Sequence, residues 1–151
     1  MHLILWRHAE AVDGLPDLKR ELTRKGQRQA RDMAAWLDQR LPAQVRVIAS
    51  PAERSKQTAS ALTDKFEVIP SIAPGASPAA VLAAVGWPNA RRAVVVVGHQ
   101  PTLGQVAAAL LARKELPWSI KKGAVWWFTH RVRDDTAQVV LRAVMSPDML
   151  E

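Results

Sequence analysis

A chain of 151 residues without cysteine excludes disulfides, thiolate metal sites and a cysteine nucleophile, and its length suits one domain with a real core. Apolar residues make up 48% and charged residues 23%, the balance of a soluble globular protein, and no apolar run approaches membrane-spanning length. The formal net charge of +7 points to an anionic ligand or partner (phosphate, nucleic acid or an acidic protein face), or else to charge scattered for solubility.

The chain opens on Leu3-Ile4-Leu5-Trp6, an apolar run that reads as a buried strand of a parallel sheet and breaks directly into Arg7-His8-Ala9-Glu10. The run is too short for a secretory core and meets Arg7 at once, so a cytoplasmic protein is expected. Ala11 to Leu22 carries the Gly, Pro and Asp punctuation of a loop. Thr23 predicts a helix cap, and the helix runs to about Leu41 with Ala30, Met33, Ala34, Leu37 and Leu41 as its apolar stripe. Arg24, Arg28 and Arg31 share another face, the ordinary place for solvated charge.

Val45 to Ala49 predicts a second strand, stopped by Ser50-Pro51 at the entry of a helix to about Lys65. Phe66 to Ile69 reads as a short third strand, and Ser77 as the cap of a helix through Val85. Ala93 to Val97 holds four consecutive valines with no polar alternation, which predicts a central strand covered on both faces. It ends in Gly98-His99-Gln100-Pro101, and a helix follows from about Thr102 to Arg113. Ala124 to His130 and Ala137 to Val144 predict a hairpin about Arg133-Asp134-Asp135. The alternation of strands and helices before that hairpin predicts an α/β three-layer sandwich: a mostly parallel central sheet flanked by helices, with residues 1–151 as one domain.

Ligands of open α/β sheets bind at the carboxyl ends of the strands. Three predicted strand ends deliver the same kind of chemistry there: Arg7 and His8 from the first, Arg54 from the helix after the second, and His99 from the valine strand. Two histidines and two arginines at one edge suit a dianion, because arginine's planar fork matches phosphate oxygens and stays charged at any working pH. A helix starting near Pro51 would add backbone N–H groups and a positive dipole end. The histidines lack metal-ligand spacing and no glycine-rich nucleotide loop occurs, so neither a metal nor a cofactor is expected. A neutral histidine can itself be the nucleophile and split phosphoryl transfer into two steps.

Leu5-Trp6-Arg7-His8-Ala9-Glu10-Ala11 resembles the Arg-His signature of the histidine phosphatase superfamily, also called phosphoglycerate-mutase-like. Ala49-Ser50-Pro51-Ala52-Glu53-Arg54-Ser55-Lys56-Gln57-Thr58-Ala59 resembles its second motif, and Val97-Gly98-His99-Gln100-Pro101 its third. The short length, Arg20-Glu21-Leu22-Thr23 and Met145-Ser146-Pro147 resemble the SixA-type phosphohistidine phosphatases. The resemblance implies His8 as the phosphorylated nucleophile, Arg7, Arg54 and His99 as the rest of the phosphate pocket, and Arg20 as a further phosphate-facing arginine. Ser50, Gln57 and Thr58 belong to the second motif and are expected to cap and pack. The tryptophans are expected to be structural, although Trp126-Trp127 on the hairpin would point one ring to each sheet face and leave one able to bind something.

Two departures stand out. Ala9 occupies a position that is usually glycine in the superfamily, an added methyl near the nucleophile. More informative is the stretch from Val68 through Lys114, which contains no Asp or Glu, where many alkyl-phosphate-cleaving members carry a proton donor. An alkoxide leaves poorly without a positioned acid, whereas the imidazole of phosphohistidine can leave already protonated. Glu10 or Asp17 could replace the missing acid. The expectation is therefore a metal-independent phosphatase acting on phosphohistidine in a protein, with neither nucleic acid nor membrane as partner. The alternatives are a phosphatase of a small phosphorylated metabolite and a non-catalytic phosphate- or nucleic-acid-binding module.

Overall fold

The side chains of the first strand decide the layering. In β1 (His2–Arg7), Leu3 and Leu5 enter one apolar cluster and Ile4 and Trp6 another, as the two-residue period of a strand requires. A computed structural model describes residues 1–151 and confirms a three-layer α/β architecture. Its elements follow as α1 (Arg24–Asp38), β2 (Val45–Ala49), α2 (Glu53–Leu62), β3 (Glu67–Val68), α3 (Pro78–Val85), β4 (Ala93–Gly98), α4 (Thr102–Ala112), β5 (Val125–Arg133) and β6 (Thr136–Met145).

The six strands form one sheet in the order β3-β2-β4-β1-β5-β6. The pairs β2·β3, β2·β4 and β1·β4 are parallel; β5 runs antiparallel to β1, and β6 antiparallel to β5. Every residue of the valine strand β4 is buried, as expected of a strand between two neighbours and two helical layers. Helices α1 and α2 cover one face: Met33, Ala34, Leu37 and Ala59 meet Ile4, Trp6, Val47, Val95 and Val97. Helices α3 and α4 cover the other, where Val81, Val85, Leu103 and Val106 meet Leu3, Leu5, Ile48, Val94 and Val96.

The strand order places the site. The connection through α1 carries the chain from β1 past one strand position to β2, and β4 later fills that gap. The carboxyl ends of β2, β4 and β1 therefore lie side by side, stitched by Ser50 N–H to Val97 O at 3.1 Å and His8 N–H to Gly98 O at 3.1 Å. The start of β5 reaches the same edge, because that strand runs the other way. There Arg7 N–H donates to Ala124 O and Gly123 N–H to His8 O, both at 3.0 Å. Trp6, fully buried, ties the same turn from below through Nε1–H to Gly123 O at 3.0 Å. Truncating it to alanine costs about 3–5 kcal/mol by the usual range for buried aromatics.

Local chemistry accounts for the boundaries. Thr23 Oγ1 accepts from Gly26 N at 2.9 Å and Ser77 Oγ from Ala80 N at 3.1 Å, the two predicted caps. Gly86 ends α3 in the left-handed region at φ 72°. Gly26 is required by proximity: a Cβ there would lie 2.0 Å from Glu10 O, so only glycine lets α1 approach the segment after His8.

Some expectations need correction. Helix α2 stops at Leu62 instead of Lys65, because Thr63 turns extended and its Oγ1 accepts from Lys65 N. Strand β3 has two residues, not four. The hairpin strands run further, to Arg133 and from Thr136, because Asp134 and Asp135 both adopt positive φ (52° and 60°) and close a two-residue turn. The tryptophan pair does split between the faces, but neither ring is free. Trp127 is buried, donates Nε1–H to His2 Nδ1 at 3.0 Å and lies under the Arg142 guanidinium, while the half-buried Trp126 packs on Trp118.

Candidate active site

Arg7, His8, Arg20, Arg54 and His99, far apart in sequence, line one cavity of about 220 Å³ at the carboxyl edge of the sheet. Ala11, Asp13, Pro74, Gln100 and Lys122 complete its wall.

His8 leaves the sheet at the end of β1 and is 92% buried by accessible surface, with 8% exposed. Its Nδ1–H donates to Ala9 O at 2.7 Å, which leaves Nε2 with the lone pair. Ala9 is held in turn: its N–H donates to Thr58 Oγ1 at 3.0 Å, and the Thr58 hydroxyl donates to Arg54 O at 2.8 Å. The nucleophile candidate and the arginine candidate are thus coupled through one threonine. The extra methyl of Ala9 packs in a small apolar cluster with Leu22 and Ala30, so the departure from glycine costs no space.

His99 leaves β4 with its ring 5.1 Å from that of His8, centroid to centroid, and is also buried. Its Nε2 lies 2.7 Å from Ser50 Oγ and 3.3 Å from Ser55 Oγ. Burial, more than the nearby guanidiniums, pushes His8 down to about 4 against an opposing pull from the Ala9 carbonyl. Burial, then the charge of His8 and Arg54, pushes His99 down to about 3. Both rings are neutral at pH 7.

Arg54 is the second residue of α2 and is buried although charged. Its Nη1 donates to Asp17 O at 2.8 Å and its Nη2 to Asp17 Oδ2 at 3.1 Å. The other oxygen, Asp17 Oδ1, takes Arg20 Nη1 at 3.1 Å, and Arg20 Nε donates to Val12 O at 2.7 Å. Arg7 Nη1 donates to Ile120 O at 2.8 Å. Three buried side-chain nitrogens are left without a protein partner: Arg7 Nε, Arg54 Nε and His99 Nδ1. Buried polar atoms are normally paired. Their concentration on residues of one cavity is the mark of a site built for an oxyanion. The Ala52 amide at the start of α2 is already taken by Ser50 Oγ at 3.1 Å, so it is not free for an anion.

The two acids proposed as proton donors are placed otherwise. Asp17 is clamped between Arg20 and Arg54, and hydrogen bonds from both hold its carboxyl below the usual range, so it orients arginines and carries no proton. Glu10 accepts from the Thr23 hydroxyl at 2.7 Å and faces a neighbouring depression with Lys25 and Lys121. Asp13 is the one carboxylate on the cavity wall, and its side chain is fully exposed at the rim. No group of three or more His, Asp or Glu side chains is placed to hold a metal ion.

The family model of the histidine phosphatase superfamily (branch 1) matches residues 3–75, which contain the first two motifs, while the fold matches over the whole chain. The chain is thus similar to the histidine phosphatase superfamily, in sequence over its first half and in fold over its whole length. The structure of the protein histidine phosphatase SixA complexed with tungstate is 29% identical, each chain covering 100% of the other, with a TM-score of 0.78. A protein of Nakamurella multipartitia that bears the SixA phosphohistidine phosphatase name is 29% identical over 97% of this chain and 95% of its own, with a TM-score of 0.76. The phosphoserine phosphatase of Entamoeba histolytica shares the fold at 18% identity, 99% coverage of each chain and a TM-score of 0.71. No curated protein sequence matches significantly. These likenesses support a phosphatase that works through histidine, and no helix of the chain is long and apolar enough to cross a membrane.

Sequence reasoning missed Asp17 as the arginine clamp, Ser50 and Thr58 as contacts of the site, and Lys122 on its wall. Lys122 was findable: it precedes β5, and an antiparallel neighbour of β1 must begin where β1 ends.

Proposed function

We propose that this protein hydrolyses phosphohistidine on a protein through a covalent intermediate on His8. The observation that carries the reading is the hydrogen bond from His8 Nδ1 to Ala9 O, which aims an unprotonated Nε2 into a cavity lined by three arginines and His99. In the first step Nε2 attacks phosphorus, the Nε2–P bond forms and the substrate's P–N bond breaks. The leaving imidazole takes its proton with it or from solvent. In the second step water attacks, the P–Nε2 bond breaks, and phosphate departs with neutral His8 restored. Arg7, Arg54, Arg20 and His99 hold the phosphoryl oxygens throughout, where fixed donors contribute most. A step of this kind needs no metal.

Two features support phosphohistidine over an alkyl phosphate. The carboxylate-free stretch contributes only Pro74, His99 and Gln100 to the cavity, and the wall's single acid, Asp13, is a solvated rim residue. A leaving group that departs unaided is then the natural substrate. A protein substrate is supported by the loop from Ala11 to Arg20, which lends Ala11, Asp13 and Arg20 to the cavity wall and exposes Val12, Leu15 (93%) and Leu18 between them while the arginine clamp holds its backbone. Exposed apolar side chains grouped at a site suit a protein surface better than a small polar metabolite. The test is kcat/KM across a leaving-group series from phosphohistidine and phosphoramidate through aryl to alkyl phosphates. A steep series is expected, unchanged in Asp13→Asn. A flat series would favour a metabolite phosphatase.

A further inference from the structure

Ser50 and His99 come from the ends of β2 and β4, and the contact between them decides which nitrogen of His99 carries the proton. Both serines near that ring are fully buried, so their hydroxyl hydrogens need partners inside the protein. A hydroxyl has one hydrogen to give and two lone pairs to receive. One lone pair of Ser50 Oγ accepts from Ala52 N–H at 3.1 Å, and the other close polar neighbour is His99 Nε2 at 2.7 Å. If Nε2 carried the proton, Ser50 Oγ would accept twice and its own hydrogen would be stranded in the core. Ser55, 3.3 Å from the same nitrogen, would gain nothing either. If Nε2 is unprotonated, the Ser50 O–H donates to it at 2.7 Å and Ser50 is satisfied, while the more distant Ser55 hydroxyl can share the same lone pair.

We propose that Ser50 is a positioning residue, whose O–H···Nε2 bond fixes neutral His99 with its proton on Nδ1, making Nδ1–H a ready donor to the phosphoryl group. The inference rests on the phosphate-site reading of the cavity. Nδ1 is the nitrogen left without a protein partner, on a ring that lines the cavity. The opposite tautomer would turn a lone pair toward phosphate oxygen. Protonation of both nitrogens is opposed by burial and by the neighbouring cations, which hold the ring neutral. The cavity then uses the two histidines alike in protonation and differently in role. Each ring has its proton on Nδ1, but His8 spends that proton on Ala9 O and offers a lone pair, whereas His99 offers the proton itself.

The test is long-range ¹H–¹⁵N NMR of the histidine side chains in the full chain, with His99 assigned by its loss in His99→Gln. The wild type at pH 7 should show the Nδ1–H pattern for His99, and inorganic phosphate should move its Nδ1 resonance. An Nε2–H pattern, or a His99 ring indifferent to phosphate that shifts the Arg54 side chain, would overturn the proposal without need of any variant. Ser50→Ala should populate the other tautomer and lower kcat about 10- to 100-fold with KM nearly unchanged, while Ser50→Thr, which keeps the hydroxyl, should restore both. Unchanged tautomer and kcat in Ser50→Ala would also overturn it. A wild-type ring with the expected tautomer and phosphate response, in a protein inactive on every phosphorylated substrate, would instead defeat the phosphatase reading alone.

Discussion

Asp17 holds Arg54 at two points, its carbonyl on Nη1 at 2.8 Å and its carboxylate on Nη2 at 3.1 Å, across 37 residues of sequence. That grip fixes the plane of a buried guanidinium while leaving Nε without a protein partner. Asp17→Ala should therefore act as an orientation defect, lowering kcat/KM about 10- to 100-fold by the cost of misplacing a catalytic group. Thermal stability should fall as well, since the variant leaves the buried Arg54 guanidinium without its counter-charge. Steady-state kinetics beside a melting curve checks both. Asp17 acting as the proton donor would instead steepen the leaving-group dependence in the variant.

Arg54→Lys should recover only a small part of what Arg54→Ala loses, because a point charge cannot keep both Asp17 contacts and also serve phosphate. Full activity in Arg54→Lys would contradict recognition by the guanidinium fork.

The neutral, buried histidines predict how stability follows pH. In the unfolded chain His8 and His99 take protons near pH 6.5, whereas in the fold they resist until about 4 and about 3. Between those limits the unfolded state binds more protons, so stability is full above about pH 6.5 and falls as pH drops, by up to about 1.4 kcal/mol per pH unit for each histidine. The melting temperature should decline from pH 6.5 to 4, and His8→Asn/His99→Asn should decline less steeply. An equal decline in that variant would contradict the assignment.

The exposed rim loop separates substrate classes. Leu15→Ser/Leu18→Ser should raise KM for a phosphohistidine protein several-fold and leave kcat/KM for phosphoramidate unchanged. Equal loss on both would show that the loop serves the cavity and not a protein surface.

The sequence carried the sheet, the helices and all five residues that meet at the cavity, since apolar period and strand-end position depend on near neighbours in the chain. What it hid depends on folding at a distance. Asp17 reads as a loop acid until α2 brings Arg54 beside it, and Ser50 reads as a helix-entry residue until β4 lies next to β2. Lys122 joins the site only because β5 runs antiparallel. The tryptophan pair is structural, as expected, but the partners that hold it, His2, Trp118 and Arg142, lie elsewhere in the sequence.

The covalent step is the centre of the account, and trapping it is the most direct test. After a short pulse of phosphoramidate, rapid quenching into alkali and mass spectrometry of the peptide carrying residues 7 and 8 should place one phosphoryl group on His8. The label should be absent from His8→Ala, whose turnover should fall by about four orders of magnitude or more, as for other removed covalent catalysts. Phosphate found on His99 with His8 unmodified, or undiminished turnover in His8→Ala, would contradict it.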